Sequence, residues 1–280
     1  MKYGMNLLLW TDRVTEQHFP LLRSVKRWGF DGVELPLFTT DRDTIAAIKK
    51  ELDDNGLAST AVTVCTADTN PISPDPAVRQ AALDYLKQRI DWCRDLGSEV
   101  LCGPFHSALG LMKGRGRFSE EWEWCVETLR HAAEHAEQAG VKLSVEPLNR
   151  FEVYFLNTAS DASQLVQEVG HPSLGYLYDT FHANIEERGI YESIVANRAC
   201  MNHVHISEND RGIPGMGHVD WENTFKALKV IGYDGWLTIE AFGRALPELA
   251  AATCIWRDLF DSEAEVATYG LEFLKARWES

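Results

Sequence analysis

The sequence lacks the long apolar segments and export signals that mark membrane and secreted proteins. No stretch approaches the ~20 consecutive apolar residues that a membrane-spanning helix needs. The N-terminus, MKYGMNLLLWTDR, has no basic region and no small-residue cleavage site, so it predicts a first strand and not a signal peptide. The six cysteines form no CxxC pair, which favours buried free thiols over disulfides. We therefore expect a cytoplasmic protein that does not enter a membrane.

Basic clusters are equally scarce. No run of Lys or Arg exceeds two residues, and 42 acidic residues against 27 basic ones give a formal net charge of −15. Such a surface repels phosphate backbones, which argues against a nucleic-acid partner. Apolar residues, in contrast, make up 45% of the 280 positions, enough for a substantial core. A chain of this size forms one large α/β domain or two small ones.

A repeated pattern organises the chain. Each β-rich run is followed by a polar segment and then by an amphipathic stretch that often ends in Gly, the expected place for a left-handed helix cap. The strand-like runs are 2–10, 32–37, 58–64, 98–104, 142–148, 174–180, 201–207 and 235–242, and the glycines are Gly29, Gly56, Gly97, Gly140, Gly170 and Gly232.

Eight β-α units without a composition break predict a (β/α)8 TIM barrel of the α/β class. We expect residues 1–280 to form a single barrel domain with a C-terminal helical tail. A doubly wound open sheet is the alternative. It usually has fewer strands, and the first turn here lacks a GxGxxG phosphate loop.

Four polar residues stand near the ends of the last four predicted strands, in SVE, LYD, HVH and TIE. They are Glu146, Asp179, His205 and Glu240. Because a barrel builds its active site at the C-terminal ends of its strands, we expect these side chains to meet at the mouth. Three carboxylates cannot share an apolar pocket without a cation, so the pattern predicts a divalent metal. The ligand set suits Mn²⁺, Mg²⁺ or Co²⁺ better than structural zinc.

Each of these residues also has a simpler interpretation when it is taken alone. Glu146 is compatible with a loop-facing salt bridge, and Asp179 with the N-cap of the segment that follows it. His205 has a twin, His203, on the same strand face, and one of the two can be a packed histidine. The metal hypothesis explains all four positions together.

Several motifs resemble one enzyme family along nearly the whole chain. The motifs are GFDGVEL, EPLNRFE, YDTFHANIEE, HVHISENDRG with GMGHVDW, TIEAF and IWRDLF. They are similar to those of the ketose 3-epimerases, the D-tagatose/D-allulose 3-epimerase group of the xylose-isomerase-like barrels. The resemblance implies an isomerase with a (β/α)8 fold, a Mn²⁺-type metal and free ketoses as substrates. It also implies a homodimer or homotetramer.

The resemblance further implies a role for each site residue. Glu146 and Glu240 would bind the metal and also face each other across the substrate. One would remove the C3 proton and the other would return a proton to the opposite face of a cis-enediolate. Glu152, His182 and Arg211 would bind the O1–O2–O3 end of the sugar. The alternatives are a surface acid paired with Arg150, a solvated loop histidine and a surface salt bridge, respectively.

The chain departs from the family where the far end of the sugar would lie. Asn6 stands where an aromatic residue is common, and CTADTNP and GPFHSALG are individual too. Candidate wall residues, which can equally be core residues, are Trp10, Phe105, His106 and Phe242. The preference at C4–C6 therefore stays open.

Three rival functions remain at this stage. An aldose–ketose or hydroxypyruvate isomerase would use the same chemistry with the proton moved between C1 and C2. An endonuclease-IV-like nuclease would need about three metals, extra histidines and basic loops, whereas the first four strands offer only Glu34 and His106. A non-catalytic sugar- or metal-binding barrel would not need two opposed glutamates.

Overall fold

Eight parallel strands close into a barrel in the computed structural model, which describes residues 1–279. Each strand pairs with its neighbours in chain order, and the last strand pairs with the first. The predicted (β/α)8 architecture is thereby confirmed. The strands are β1 Lys2–Asn6, β2 Gly32–Pro36, β3 Ala58–Val62, β4 Val100–Gly103, β5 Lys142–Val145, β6 Leu174–Asp179, β7 Met201–Ile206 and β8 Trp236–Ile239.

Helices alternate with the strands and form the outer layer. None of the helices within residues 1–279 is both long and apolar enough to cross a membrane. The α-helices are α1 Phe19–Trp28, α2 Arg42–Asn55, α3 Pro76–Leu96, α4 Ser119–Ala139, α5 Ala159–Val169, α6 Thr180–Glu186, α7 Ile190–Asn197, α8 Trp221–Val230, α9 Pro247–Ala252 and α10 Glu263–Glu279. Three short 3₁₀ helices cover Leu7–Leu9, Glu16–His18 and Ala67–Thr69.

The first strand is shorter than predicted. The expectation of a strand over 2–10 is wrong at its C-terminal end, because Leu7–Leu9 form a 3₁₀ turn. The side-chain oxygen of Asn6 accepts a hydrogen bond from the Leu8 amide at 2.9 Å and so starts the turn. All three leucines are buried, and an apolar run alone does not distinguish a buried strand from a buried turn.

Five of the six glycines that were predicted to end helices do so. Gly29, Gly56, Gly97, Gly140 and Gly170 are the C-caps of α1 to α5, each with a left-handed backbone. That conformation suits glycine because it has no Cβ. In α8 the cap is Ile231, and Gly232 follows it with a positive φ.

The C-terminal segment completes the helical layer. Helix α10 follows β8 and packs against β8 and α1, with Val266, Leu271 and Leu274 buried. A Cβ at Gly270 would lie only 2.8 Å from Ile239 Cδ1, so glycine allows the helix to approach the barrel. The assignment of 1–280 to one domain stays a prediction, and its last residue, Ser280, lies outside the described residues.

Candidate active site

The four predicted metal ligands meet at the barrel mouth. Asp179 ends β6 and stands in register with His205 of β7. Glu146 and Glu240 directly follow β5 and β8, and their amides still donate to Gly103 and Ile206 carbonyls at 3.0 and 3.1 Å. One ligand atom from each of Glu146, Asp179, His205 and Glu240 lies within 4.8 Å of the others. We call these residues the mouth cluster.

The mouth cluster has gaps of the size that a cation fills. The Nδ1 atom of His205 lies 3.4 Å from Glu240 Oε1 and 3.7 Å from Asp179 Oδ2. This nitrogen is buried and has no hydrogen-bond partner. Two ligands held at ~2.2 Å by an octahedral ion stand about 3.1 Å apart, close to these separations. A buried nitrogen without a partner, facing carboxylates, therefore fits a metal ligand.

The charges of the cluster also call for a cation. Burial raises the pKa of Glu146 well above its usual range, and the neighbouring Glu240 carboxylate raises it further. Burial alone would raise the pKa of Glu240 as well, but His205 and Arg211 lower it. A divalent ion would stabilise the ionised form of every carboxylate in the cluster. The donor set thus fits the predicted metal, although the ligand roles themselves stay a prediction.

Asp179 combines two of the interpretations offered by the sequence. Its Oδ1 atom caps α6 by accepting hydrogen bonds from the amides of Phe181 and His182 at 2.6 and 3.1 Å. Its Oδ2 atom faces the cluster, 3.4 Å from Arg211 Nη1. The helix cap therefore fixes the orientation of the oxygen that faces His205.

Arg211 is a buried residue of the site and not the partner in a surface salt bridge. It is 5% exposed and has a left-handed backbone with φ of 65°. Its Nη1 donates to Glu240 Oε2 at 2.7 Å and to Ser207 Oγ at 2.9 Å. The guanidinium therefore neutralises the outer oxygen of one predicted base while the inner oxygen faces His205.

His182 is also buried, so a solvated loop histidine is excluded. Burial and the Arg211 charge lower its pKa to about 3, which leaves the ring neutral. The amide of Asn149 donates to Nδ1 at 3.1 Å, so the single ring proton belongs on Nε2. Arg211 Nη2 lies 2.9 Å from that Nε2. Two donors lie side by side there, and one oxygen beside the pair can accept from both.

Glu152 lies on the loop after β5 and belongs to the same charge network. Asn149 Nδ2 donates to Glu152 Oε1 at 2.8 Å. Burial raises the pKa of Glu152, an effect that the Arg211 charge opposes. Arg150 does not pair with it as the alternative proposed, because Arg150 Nη2 binds Glu186 Oε2 at 2.8 Å. Within the NRFE motif, Arg150 therefore belongs to a surface ion pair, whereas Glu152 belongs to the site.

Sequence reasoning missed a second buried cluster, which is centred on Glu34 of β2. Its carboxylate lies 2.8 Å from His203 Nε2 and 2.7 Å from His205 Nε2. A signal was present in the sequence, since Glu34 is a lone acid inside the apolar run GVELPL. The Glu34 cluster consists of Asn6, Glu34, Thr60, Cys102 and His203, and it shares His205 with the mouth cluster.

The candidate wall residues separate into core and site. Phe105 and His106 are fully buried, and the His106 ring stacks on Phe155 at 5.7 Å. Trp10 stacks on Trp28. Phe242 alone of these four has a ring contact with a site residue, with its centroid 5.0 Å from the Arg211 guanidinium carbon.

A cavity opens beside the site residues. Its volume of about 370 Å³ falls within the ~300–1,000 Å³ range of small-molecule sites. Arg211 and Phe181 form one side, and the segment after α9 forms the other. The remaining lining residues are Asn209, Asp210, Thr253, Cys254, Ile255, Trp256, Arg257 and Leu259.

Comparison with known proteins gives one consistent result. Residues 22–277 match the model of the xylose isomerase-like TIM barrel family. The chain is 32% identical to a probable ketose 3-epimerase of Synechocystis sp., over 100% of this chain and 98% of the relative. It is 31% identical to an L-ribulose 3-epimerase of Methylomonas sp., over 99% and 98%. The crystal structure of a D-allulose 3-epimerase from Methylomonas sp. with D-allulose superposes with a TM-score of 0.93, at 31% identity, covering 99% and 97% of the chains.

Proposed function

Because this chain belongs to the ketose 3-epimerases of the xylose isomerase-like TIM barrel family, we propose that it interconverts C3 epimers of free ketoses with two opposed glutamates as the proton-transferring groups. The chain is an isomerase-class enzyme, and its relatives act on ketoses at C3. The metal dependence, the residue roles and the stereochemical course belong to the proposal.

One observation carries the proposal: two glutamates approach the same small volume from different strands. Glu146 follows β5 and Glu240 follows β8, with β6 and β7 between them. An inversion at carbon needs one base on each face of the substrate.

The residues of the mouth cluster would hold the metal. Glu146, Asp179, His205 and Glu240 offer three oxygens and one nitrogen, a set that suits Mn²⁺, Co²⁺ or Mg²⁺. When bound, such an ion acts as a Lewis acid that polarises a carbonyl group and acidifies the adjacent C–H.

The proton transfer would then proceed between the two glutamates. One ionised carboxylate removes the proton from C3 of the ketose, and a planar cis-enediolate results. The other glutamate, which carries a proton from the start, donates it to the opposite face of C3, so the two residues exchange their protonation states in each turnover.

The remaining site residues would orient the sugar. Arg211 Nη2 and His182 Nε2 both present a proton to the same point, where a sugar oxygen would accept from both. Glu152 is held by Asn149 at 2.8 Å and can accept a hydrogen bond from a hydroxyl group. Phe242 packs beside Arg211 and offers an apolar surface to the sugar.

The rival functions fit less well. An aldose–ketose or hydroxypyruvate isomerase needs proton transfer between C1 and C2 on one face, which does not use two opposed bases. A nuclease needs several metals and basic loops. Further metals would have to bind in the Glu34 cluster, but the Glu34 carboxylate there already contacts His203 and His205 at 2.8 and 2.7 Å. A cytoplasmic location and a homodimer or homotetramer stay predictions.

The test is product analysis with a panel of free ketoses. Purified protein is loaded with Mn²⁺ and incubated with each sugar, and the products are separated by chromatography. We expect the C3 epimer as the main product and no conversion by a chelated sample. An aldose as the main product would instead establish the isomerase function.

A further inference from the structure

Glu34 receives more polar contacts than any ligand of the mouth cluster. Its Oε1 accepts from Asn6 Nδ2 at 3.0 Å and lies 2.7 Å from His205 Nε2. Its Oε2 accepts from Thr60 Oγ1 at 2.9 Å, from Cys102 Sγ at 3.2 Å and from His203 Nε2 at 2.8 Å. Glu34 and both histidines are fully buried. A buried carboxylate with donors from four other strands has a fixed position.

The contact with His205 determines which nitrogen faces the mouth cluster. Because Nε2 lies against an acceptor, the ring proton is held on Nε2, and Nδ1 is left with its lone pair. That Nδ1 is the buried nitrogen without a partner, directed at Asp179 and Glu240. Rotation of the ring by half a turn would break the Glu34 contact.

A second arm connects Glu34 to a proposed base. Asn6 Nδ2 donates to Glu34 Oε1 at 3.0 Å and also lies 3.2 Å from Glu240 Oε1. Asn6 Oδ1 is held by the Leu8 amide at 2.9 Å, so the amide group cannot turn over without losing that bond. Asn6 is therefore not a wall of the sugar pocket but a link between two buried carboxylates.

We propose that Glu34 is a positioning residue for the metal centre, acting on His205 directly and on Glu240 through Asn6. This inference rests on the proposed function, because it assigns Glu34 to the same metal site. The ligand atoms of Glu34, Cys102, His203 and His205 stand close enough together to hold an ion, but the nitrogen–oxygen distances of 2.7 and 2.8 Å are those of direct hydrogen bonds, so we assign Glu34 a supporting role. Glu34 and Asn6 contact the proposed ligands His205 and Glu240 and hold their orientation.

The test measures metal binding without any sugar. Metal-free Glu34→Gln and Thr60→Val variants are titrated with Co²⁺, whose visible absorption bands report the geometry of its ligands. Gln presents an NH₂ group where Glu34 offers an acceptor, so we expect Co²⁺ binding to weaken ~10–100-fold and the bands to shift. Thr60→Val is the matched control, because it removes one 2.9 Å hydrogen bond to the same carboxylate and touches neither His205 nor Glu240. We expect wild-type bands from this control.

Two results would overturn the proposal. The first is a folded Glu34→Gln protein that binds Co²⁺ with wild-type affinity and bands, which would leave Glu34 with a structural role only. The second is a wild-type protein that binds two equivalents of Co²⁺, one of which is lost in Glu34→Gln, which would make Glu34 a ligand. A wild-type protein that binds one Co²⁺ but converts no ketose would refute the proposed function and leave this inference standing.

Two further measurements apply if Glu34→Gln does not fold. Asn6→Ala removes the arm to Glu240, together with the Asn6 hydrogen bonds to Glu34 and Leu8, and leaves the Glu34–His205 contact in place. It should weaken Co²⁺ binding by ~10-fold or less, and unchanged affinity and bands would show that Asn6 has no positioning role. Long-range proton–nitrogen correlation spectra of the Mg²⁺-loaded wild-type protein report the histidine tautomers. We expect the His205 proton on Nε2, and a proton on Nδ1 would contradict the proposal.

Discussion

Two buried carboxylate–histidine clusters share His205, and their internal distances differ. On the Nδ1 side, the mouth cluster leaves gaps of 3.4 and 3.7 Å to Glu240 and Asp179. On the Nε2 side, the Glu34 carboxylate closes to 2.7 Å. In the Glu34 cluster, hydrogen bonds satisfy the charge of the carboxylate. In the mouth cluster, ligand atoms remain that only a cation or a substrate can satisfy. Internal distances thus separate the proposed reactive site from its proposed support, although the residue types are nearly the same.

Metal removal should have the largest effect on activity, and it should change the mouth cluster but not the Glu34 cluster. We expect exhaustive chelation to abolish epimerisation, because three buried carboxylates and an unpaired nitrogen lose their common partner. Addition of Mn²⁺ or Co²⁺ should restore activity with one equivalent per chain, as measured by elemental analysis. Full activity in a sample that contains no metal would contradict the assignment of a metal to the mouth cluster.

Replacement of either proposed base should have the next largest effect. In Glu146→Gln and Glu240→Gln the side chain keeps an oxygen for the metal but loses its basicity. We expect epimerisation to fall by ~10²-fold or more while the fold is kept. Initial rates and circular dichroism spectra of both variants measure this. Epimerisation within a few-fold of wild type in either variant would show that the residue is not a base.

Arg211→Ala should separate substrate orientation from metal binding. Arg211 contacts Glu240 Oε2 at 2.7 Å and His182 at 2.9 Å, and it lies 3.4 Å from Asp179 Oδ2. We expect turnover to fall by roughly 10²-fold, as for the loss of one preorganised donor. Metal content should stay at one equivalent. Loss of the metal in this variant would place Arg211 in the metal centre instead.

Another buried carboxylate, Glu121 of α4, offers a reference outside both clusters. It accepts from Arg115 at 2.8 and 2.9 Å, from the Phe118 amide at 2.8 Å and from Tyr154 at 2.8 Å. Burial raises the pKa of Glu121, but these donors outweigh it and lower the pKa to about 2. Glu121→Gln should therefore reduce the free energy of unfolding by about 1–3 kcal/mol at pH 7 without changing epimerisation.

The effect of Glu121 should depend on pH with a defined sign. Because the pKa in the folded protein lies below the ordinary value of 4.5, the stabilisation is complete above that value. It declines as the pH falls from about 4.5 to about 2, so wild type and Glu121→Gln should converge there. Urea denaturation of both proteins across this range measures the difference. A constant difference at every pH would assign the effect to packing.

Most of the fold could be predicted from sequence because the barrel repeats one signal. Each strand is a short apolar run and the first five helices end at a glycine, so the period was visible without any contact information. The end of β1 could not be predicted, because Leu7–Leu9 are apolar and buried in either conformation. The side-chain bond from Asn6 that starts the turn is a tertiary detail of one residue.

The candidate site also has a part that could be predicted from the sequence and a part that could not. Glu146, Asp179, His205 and Glu240 could be predicted together because parallel strands end at one mouth, so sequence spacing becomes spatial proximity. The Glu34 cluster could not be predicted, since its contacts join β2 with β1, β3, β4 and β7 across the interior. Glu34 gave the same signal as Glu146, an acid in an apolar run, but no neighbouring strand end repeated it.

The central claim, that Glu146 and Glu240 serve opposite faces of C3, is tested most directly by isotope exchange in the two Gln variants. Each C3 epimer of an accepted ketose is incubated in D₂O with Glu146→Gln or with Glu240→Gln. A variant with one remaining base should exchange the C3 proton of one epimer without inverting it. We predict that the two variants label opposite epimers at C3 and leave C1 unlabelled. Labelling of the same epimer by both variants, or deuterium at C1, would contradict it.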